Sequence, residues 1–387
     1  MSERSPIRIL GLTMERVTNF RAQPSAKSSG LFAALDRRFE VVGVVRPAPS
    51  RLDLYLTKLR YIHPNRETWR ARASMCLEMF RRRTAIAEAR LQRIDGSYDL
   101  IMQLHTLFSP GLLSAGRPYV LHTDNTYLLS ERYFPQWAPL RGRTRDAWVE
   151  LERATYRQAA FLFPRSEFLR RSMIDDYGCD PERVMRVGGG ANFQPVALDD
   201  KRYDRRIALF VGSDFTRKGG QSLLRAWEHV RAILPDAQLW IVGPKRPAAS
   251  LPGGVRWFGH VSDRAALAKL YAQATLFVMP SIFEPWGHVF FEAMAYGLPC
   301  ISSDHGATPE IVNDGQTGLL VPAQRADPLA IAIVTLLRDP RLAEEMGRRA
   351  QATIKGEHSW DHVVARMAPA LERVARVASA PRVGYAY

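Results

Sequence analysis

Two stretches carry the residue types best suited to chemistry on a phosphorylated substrate: Glu284-Pro285-Trp286-Gly287-His288-Val289-Phe290-Phe291-Glu292, and Phe215-Thr216-Arg217-Lys218-Gly219. In the first, an acidic residue, a Pro and a Gly precede an apolar run, which reads as a helix start with Pro285 at the first helical position. Ala274 to Pro280 ahead of it reads as a buried strand, so the helix opens at a strand's carboxyl end, where α/β sheets place ligands. The N–H groups of Gly287, His288 and Val289 are then candidates to hold a phosphate, because unpaired amides and the positive end of the helix dipole favour anions. Glu284 and Glu292 bracket those amides, and eight helical positions span roughly 12 Å. A nucleotide diphosphate sugar has a similar length, with Glu284 accepting hydrogen bonds from sugar hydroxyls and Glu292 from the two ribose hydroxyls. The alternative is a helix-capping Glu284 and a solvated Glu292, since exposed charge is the default.

In the second stretch two cations sit in a loop between a predicted strand, Ile207 to Gly212, and a predicted helix. Arg217 and Lys218 can there neutralise a diphosphate and stabilise the charge that develops as it leaves. Solvated loop cations are the competing reading. The helix that follows repeats apolar residues at Leu223, Trp227, Val230 and Leu234, which marks one buried face.

Glu-x7-Glu with Pro and Gly after the first Glu, followed by Glu292-Ala293-Met294-Ala295-x-Gly297-Leu298-Pro299, resembles the signature of the retaining glycosyltransferases of family GT4, which have the GT-B fold. The resemblance is strong from Ile207 to Trp360 and weak before it. It implies two Rossmann-like domains facing one another across a cleft, with a C-terminal helix crossing back to the first. By the same resemblance His122 faces the transferred sugar, and Arg217, Lys218 and Glu284 join it in the catalytic group. Donor contacts fall to Gly212, Gly243, Gly287, His288, Val289 and Glu292, and the backbone at Trp257 and Phe258 meets the nucleobase. The N-terminal loop at Ser29 and Gly30, with Asp124, faces the acceptor. Two positions depart from the pattern. Ser213 stands where many members carry Arg, a charge that Arg217 supplies as in lipopolysaccharide-core glucosyltransferases with a Gly-Ser-Asp-Phe-x-Arg-Lys-Gly loop, and His305 stands where many have Gly.

The resemblance further implies transfer with retention, in which the acceptor hydroxyl attacks the face from which the diphosphate departs. No metal or resident cofactor is expected; the nucleotide diphosphate sugar is the co-substrate, with UDP-sugar preferred over GDP-sugar. The acceptor is a glycan, lipid-linked or small-molecule hydroxyl. A GT-B nucleotide-sugar 2-epimerase, or a non-catalytic scaffold on anionic surfaces, are the rival readings.

A chain of 387 residues accommodates two domains. The expected boundaries are 1–198, 199–363 and a returning helix and tail, 364–387. Three cysteines, Cys76, Cys179 and Cys300, are too few and too scattered for a disulfide framework or a Cys-x-x-Cys metal site. No apolar run reaches the roughly 18 residues of a spanning helix, and Met1 to Ser5 do not open a signal peptide, so a cytosolic protein is expected. The formal charge of +15 favours polyanionic partners. Eleven Lys or Arg against four acids fall between Arg51 and Arg93, interleaved with Trp69, Met75, Leu77, Met79 and Phe80. That composition suits an amphipathic surface on an anionic membrane, or a solvated helical face; without a recognition fold around it, nucleic acid is the poorer match.

Strands are predicted at Ile7 to Leu12, Phe39 to Val45, Tyr98 to His105, Tyr119 to His122, Phe161 to Ser166 and Val184 to Val187. In the second half they fall at Ile207 to Gly212, Gln238 to Gly243, Gly254 to Gly259, Ala274 to Pro280 and Cys300 to Asp304. A first-domain helix is expected to begin at Leu31, after a loop ending Ser28-Ser29-Gly30.

Overall fold

In the computed structural model, residues 6–17, 19–22, 28–94, 98–111, 117–192, 195–247 and 250–379 are described. Met1 to Ser5, on which the signal-peptide expectation rests, lie outside them. The chain forms two compact units: residues up to Gly190 together with those from Trp360 onward, and Ala191–Ser359. The sequence placed these divisions after residue 198 and after residue 363.

The first unit opens with β1 (Arg8–Leu12), α1 (Ser29–Arg38) and β2 (Glu40–Val45). Three helices follow, α2 (Arg51–Arg60), α3 (Arg66–Ser74) and α4 (Leu77–Leu91). Then come β3 (Leu100–Leu104), β4 (Tyr119–Thr123), α5 (Tyr127–Tyr133), α6 (Gly142–Gln158), β5 (Phe161–Pro164) and α7 (Glu167–Asp175). The five strands are parallel in the order β2-β1-β3-β4-β5. Every residue of β3, β4 and β5 is buried, as befits parallel strands covered on both faces.

The second unit contains β6 (Ile207–Val211), α8 (Gly220–Ile233), β7 (Gln238–Val242), β8 (Val255–Gly259), α9 (Arg264–Gln273) and β9 (Leu276–Met279). It continues with α10 (His288–Ala295), β10 (Cys300–Ser303), β11 (Gly318–Val321), α11 (Ala326–Arg338) and α12 (Pro340–Gly356). Its six parallel strands run β11-β10-β9-β6-β7-β8. On α8, Leu223, Trp227 and Val230 have no exposed surface and Leu234 just beyond is buried, the face its spacing predicts. The last helix, α13 (Trp360–Ser379), packs in the first unit's core through Val363, Val364, Met367, Leu371 and Val374, a stripe at helical spacing.

Three expectations are corrected. Val184 to Val187 is not a strand: it meets β5 at the single bridge Leu162–Val184, with Met185 N–H donating to Leu162 O and Val187 N–H to Pro164 O. A second bridge would need an N–H from Pro164, which has none. Helix α1 begins at Ser29, so Ser29 and Gly30 are buried helical residues and not loop. Pro285 does not open a helix either. The residue before a Pro is steered away from the α region, Glu284 O accepts from Ala307 N–H beyond β10 instead, and Gly287 caps α10 at His288. Glu284 and Glu292 therefore do not share a helix, and a spacing based on helical rise does not apply to them.

Candidate functional site

In each unit the first strand has neighbours reached by connections on both sides, so the chain direction switches there: between β1 and β3 in one sheet, between β6 and β9 in the other. Loops leaving the carboxyl ends on the two sides of such a point diverge and leave a crevice.

In the second unit the residues at that point converge. Arg217, after β6, is buried; its Nη1 donates to Phe283 O at 2.6 Å and to Glu284 Oε2 at 3.1 Å, and its Nε to Asp214 Oδ2 at 3.3 Å. Ile282 N–H returns a bond to Arg217 O at 2.7 Å, lacing the β6 loop to the β9 loop. The turn between them requires Gly219: its φ is +75°, and a Cβ there would lie 1.9 Å from Pro280 O. Glu284 is as buried as its partner, both side chains being 8% exposed. An ion pair so enclosed fixes geometry, because breaking it leaves an uncompensated charge.

Lys218 is half-buried and lies over Gly212, where a Cβ would sit 2.3 Å from its Cδ and 2.9 Å from its Nζ. Gly243, at φ +111°, presses on the Gly212 backbone. Burial lowers the Lys218 pKa, Glu284 opposes that, and Arg217 adds to it. Burial raises Glu292, whose carboxylate accepts from Tyr271 Oη at 2.9 Å against that trend and which also feels Lys218. Arg217, Lys218, Glu284 and Glu292 thus form one electrostatic group around Gly212, although Glu292 reaches it from α10 alone. At the start of α10, His288 N–H donates to Trp286 O at 3.1 Å, while Gly287 N–H and Val289 N–H have no acceptor among the described residues. His305, the departure from the family pattern, has Nε2 at 2.5 Å from Ile282 O and so braces the same loop.

Trp257 and Phe258 lie on β8, the edge strand. Trp257 packs on Phe215 and its Nε1 donates to Pro244 O at 2.8 Å; Phe258, 41% exposed, packs on Trp240. Successive strand residues face opposite sides of the sheet, so the two rings do not share one surface.

In the first unit His122 has no exposed surface. Its Nδ1 lies 2.8 Å from Phe163 O, a pure acceptor, and its Nε2 receives Arg165 Nε–H at 3.3 Å, which fixes a neutral ring with the proton on Nδ1. Burial and the Arg165 charge push its pKa down to about 3. Both ring nitrogens of His122 are thus engaged by protein partners. In front of it stand Asp124 and two residues that the sequence reading missed, Glu15 and His105. Arg165 Nη1 reaches Asp124 Oδ2 at 3.3 Å, and His105 lies between Asp124 Oδ1 (3.5 Å, Nδ1) and Glu15 Oε1 (3.3 Å, Nε2). Ser28, ahead of Ser29 and Gly30, donates its hydroxyl to Glu15 Oε2 at 2.6 Å. His105 could have been suspected as the polar residue ending a predicted strand; nothing in a single sequence marks Glu15.

Among the described residues no three His, Cys, Asp or Glu side chains gather as metal ligands. A cavity of about 910 Å3 in the first unit, lined by Tyr98, Arg117, Phe161, Arg183, Arg373 and Val374, lies where β3, β4 and β5 begin, at the opposite end of the sheet from the β1/β3 crevice.

Two parallel sheets flanked by helices, with cations and carboxylates meeting at a switch point, define a Rossmann-like α/β protein. Residues 199–353 match the family "Glycosyl transferases group 1". A D-inositol 3-phosphate glycosyltransferase of Jonesia denitrificans is 30% identical over 76% of this chain and 75% of its own length. An alpha-maltose-1-phosphate synthase of Mycolicibacterium smegmatis is 32% identical over 56% of this chain and 64% of its own. Among solved structures, sucrose-phosphate synthase from Thermosynechococcus elongatus superposes with a TM-score of 0.70 at 21% identity, over 96% of this chain and all of its own. HepE of Anabaena, solved with UDP and glucose, gives 0.65 at 18%, over 95% of this chain and all of its own. The chain belongs to the group 1 glycosyltransferases and has the GT-B fold. It spans 56 to 64% of the length of several of the curated relatives it matches.

Proposed function

We propose that the protein transfers a glycosyl group, with retention, from a UDP-sugar to a hydroxyl of a glycan, lipid-linked or small-molecule acceptor, without a metal. The observation that carries this reading is the bonding of Arg217 to Glu284 across the β6/β9 switch point, with Lys218 over Gly212 beside them, inside the segment that matches the family. The second unit binds the donor. Lys218, Arg217 and the Gly287 and Val289 N–H groups offset the charge that grows on the diphosphate as the anomeric C–O bond breaks. The acceptor oxygen forms the new bond on the same face, and its proton passes to the departing phosphate oxygen. Glu284, held by Arg217, orients the sugar and forms no covalent bond to it. Gly212 and Gly243 give close backbone approach, Glu292 takes the ribose, and the base lies at the β8 end near Trp257 and Phe258. The likeness to HepE, solved with UDP and glucose, favours uridine.

In the first unit, His122 works by holding Arg165, and Asp124 with the Ser29-Gly30 end of α1 serves the acceptor. The working surface is the cytoplasmic face of an anionic membrane. Of the ten exposed large hydrophobic side chains among the described residues, six (Leu52, Leu54, Tyr55, Leu56, Leu59 and Ile62) lie on or just after α2. Leu52, Tyr55, Leu56 and Leu59 follow helical spacing, so the apolar stripe faces solvent, beside Arg51, Lys58 and Arg60. Among the described residues no helix is long and apolar enough to cross a membrane.

A thermal-shift screen against UDP, GDP and their sugar conjugates tests the donor assignment, since ligand at 100 times its Kd stabilises by about 2.7 kcal/mol. A response to neither nucleotide refutes it. Pelleting with phosphatidylserine vesicles at low salt tests the membrane; Leu52→Gln with Leu56→Gln should abolish pelleting with little change in stability, because both residues are exposed.

A further inference from the structure

Helices α2, α3 and α4 hold more cations than their acids can pair. On α4, Met79, Arg83 and Ala87 recur at four-residue spacing and all are buried, so an arginine stands in the middle of an apolar stripe. Arg83 is 6% exposed. Its Nη1 donates to Ser74 O, at the end of α3, at 3.0 Å, and its Nε has no acceptor among the described residues. Burial pushes the guanidinium down to about 10. A single helix-end carbonyl occupies one of the five N–H donors and brings no opposite charge. A buried cation left in that state is costly until a counter-ion reaches it.

Arg83 lines a cavity of about 330 Å3 between α2, α3 and α4. Three more cations line it, Lys58, Arg66 and Arg70, all exposed and none in an ion pair among the described residues. No Asp or Glu is among the lining residues. Asp53 and Glu78, on the same helices, are taken by Arg82 and Arg60. The charge balance is therefore unlike that at Arg217, where Glu284 already faces the guanidinium. Leu54, Trp69 and Met79 supply the apolar wall, and Trp69 is held by its Nε1–H bond to Lys58 O at 2.7 Å. Leu54, Thr57 and Lys58 share one face of α2, opposite the exposed stripe of Leu52, Tyr55, Leu56 and Leu59.

We propose that this cavity binds a phosphate ester, with the phosphate on Arg83 among Lys58, Arg66 and Arg70 and the carbon part of the ester against Leu54, Trp69 and Met79. Phosphate oxygens accept from the unmatched Nε–H, and their charge balances the buried guanidinium, whose planar fork suits phosphate. A volume of about 330 Å3 is at the small end of ligand sites, which fits a small ester better than a nucleotide. The cavity lies against the face of α2 turned from its exposed apolar stripe, which favours a water-soluble ester over a lipid head group. The site shares no residue with the donor or acceptor assignments and does not rest on the membrane reading.

Calorimetric titration of the full chain with glycerol 3-phosphate, with UDP at saturation to occupy the donor site, tests this, and glycerol is the uncharged control. The wild type should bind the ester and not glycerol. Arg83→Met should weaken that binding by about 10- to 100-fold, the loss expected for hydrogen bonds to a charged group. Its melting temperature without ligand should stay level or rise, because an unbalanced buried charge has gone. Arg66→Ala with Arg70→Ala, both on exposed residues, should weaken binding less and reduce its salt dependence. Leu52→Gln with Leu56→Gln should leave ester binding unchanged, whatever that variant does to membrane pelleting. Vesicles containing phosphatidic acid form the second arm: pelleting that requires Arg83, without binding of glycerol 3-phosphate, keeps the phosphate site and makes a lipid its source. Binding of neither probe, or equal binding by the wild type and the Arg66→Ala, Arg70→Ala protein together with a lower melting temperature in Arg83→Met, overturns the proposal and leaves Arg83 as a helix cap.

Discussion

Gly212→Ala displaces the Lys218 side chain without replacing a charged residue. No positive φ is recorded for Gly212, so Ala is compatible with its backbone, and the atoms its Cβ meets first are Cδ, Cε and Nζ of Lys218 at 2.3, 2.9 and 2.9 Å. All three belong to the far part of a flexible side chain, which yields by changing rotamer. Stability should therefore move by no more than about 1 kcal/mol, the gain from a stiffer unfolded chain offsetting the displaced lysine. That corresponds to a melting shift of about 2–4 °C for a domain of this size. The ammonium, however, loses its place over the β6 end. If it bonds the diphosphate there, the loss is about 1.5–3 kcal/mol, roughly 10- to 150-fold in donor Kd. Calorimetric titration with UDP-glucose of Gly212→Ala, Lys218→Ala and the double variant reads this directly. The two single variants should lose similar affinity and the double variant little more, because both act through the same ammonium. Wild-type affinity in Gly212→Ala beside a large loss in Lys218→Ala, or fully additive losses, would refute the reasoning.

Arg217→Met should destabilise the second unit by about 3–5 kcal/mol in chemical denaturation, since it strands the buried Glu284 charge; adding Glu284→Met should recover most of that loss while activity stays absent. Glu152, buried and bonded by Tyr177 Oη and Tyr127 N–H, is raised by burial to about 7 from an ordinary 4.5. Its folded pKa lies above its unfolded value, so its stabilising share is complete below 4.5 and is lost as pH rises to about 7; denaturation midpoints of Glu152→Gln should show a flatter slope in that window. His105 acts with the same sign at higher pH: its contribution is complete below 6.5 and lost as pH rises through about 9, a slope that should be missing from His105→Gln.

The apolar runs that became β1, β3 to β7 and β9 were legible because parallel strands buried on both faces leave almost no room for polar residues. The single apolar face of α8 was legible for a related reason, since one side of that helix must meet the sheet. The Arg217-Lys218 pair stood out because two adjacent cations in a strand-to-helix loop can neutralise a diphosphate, whereas the left-handed turn at Gly219 showed only in the structure. The family signature identified the second half before its geometry was known.

Three features were decided only in three dimensions. Glu284 was read as part of a helix because Pro285 and Gly287 suit a helix start, but the backbone of Glu284 is held by Ala307, a partner that no local pattern contains. His122 ends a strand as expected, yet whether a strand-end histidine faces solvent or the core depends on neighbours such as Arg165 and Phe163, which lie about forty positions along the chain. Glu15, His105 and Asp124 come from three separate strand ends and meet because strand order, which sequence spacing does not encode, sets β1 beside β3 and β3 beside β4. Local sequence determines which segments become strands and helices through burial and backbone preference; the long-range pairing of those segments determines which side chains share a charge environment.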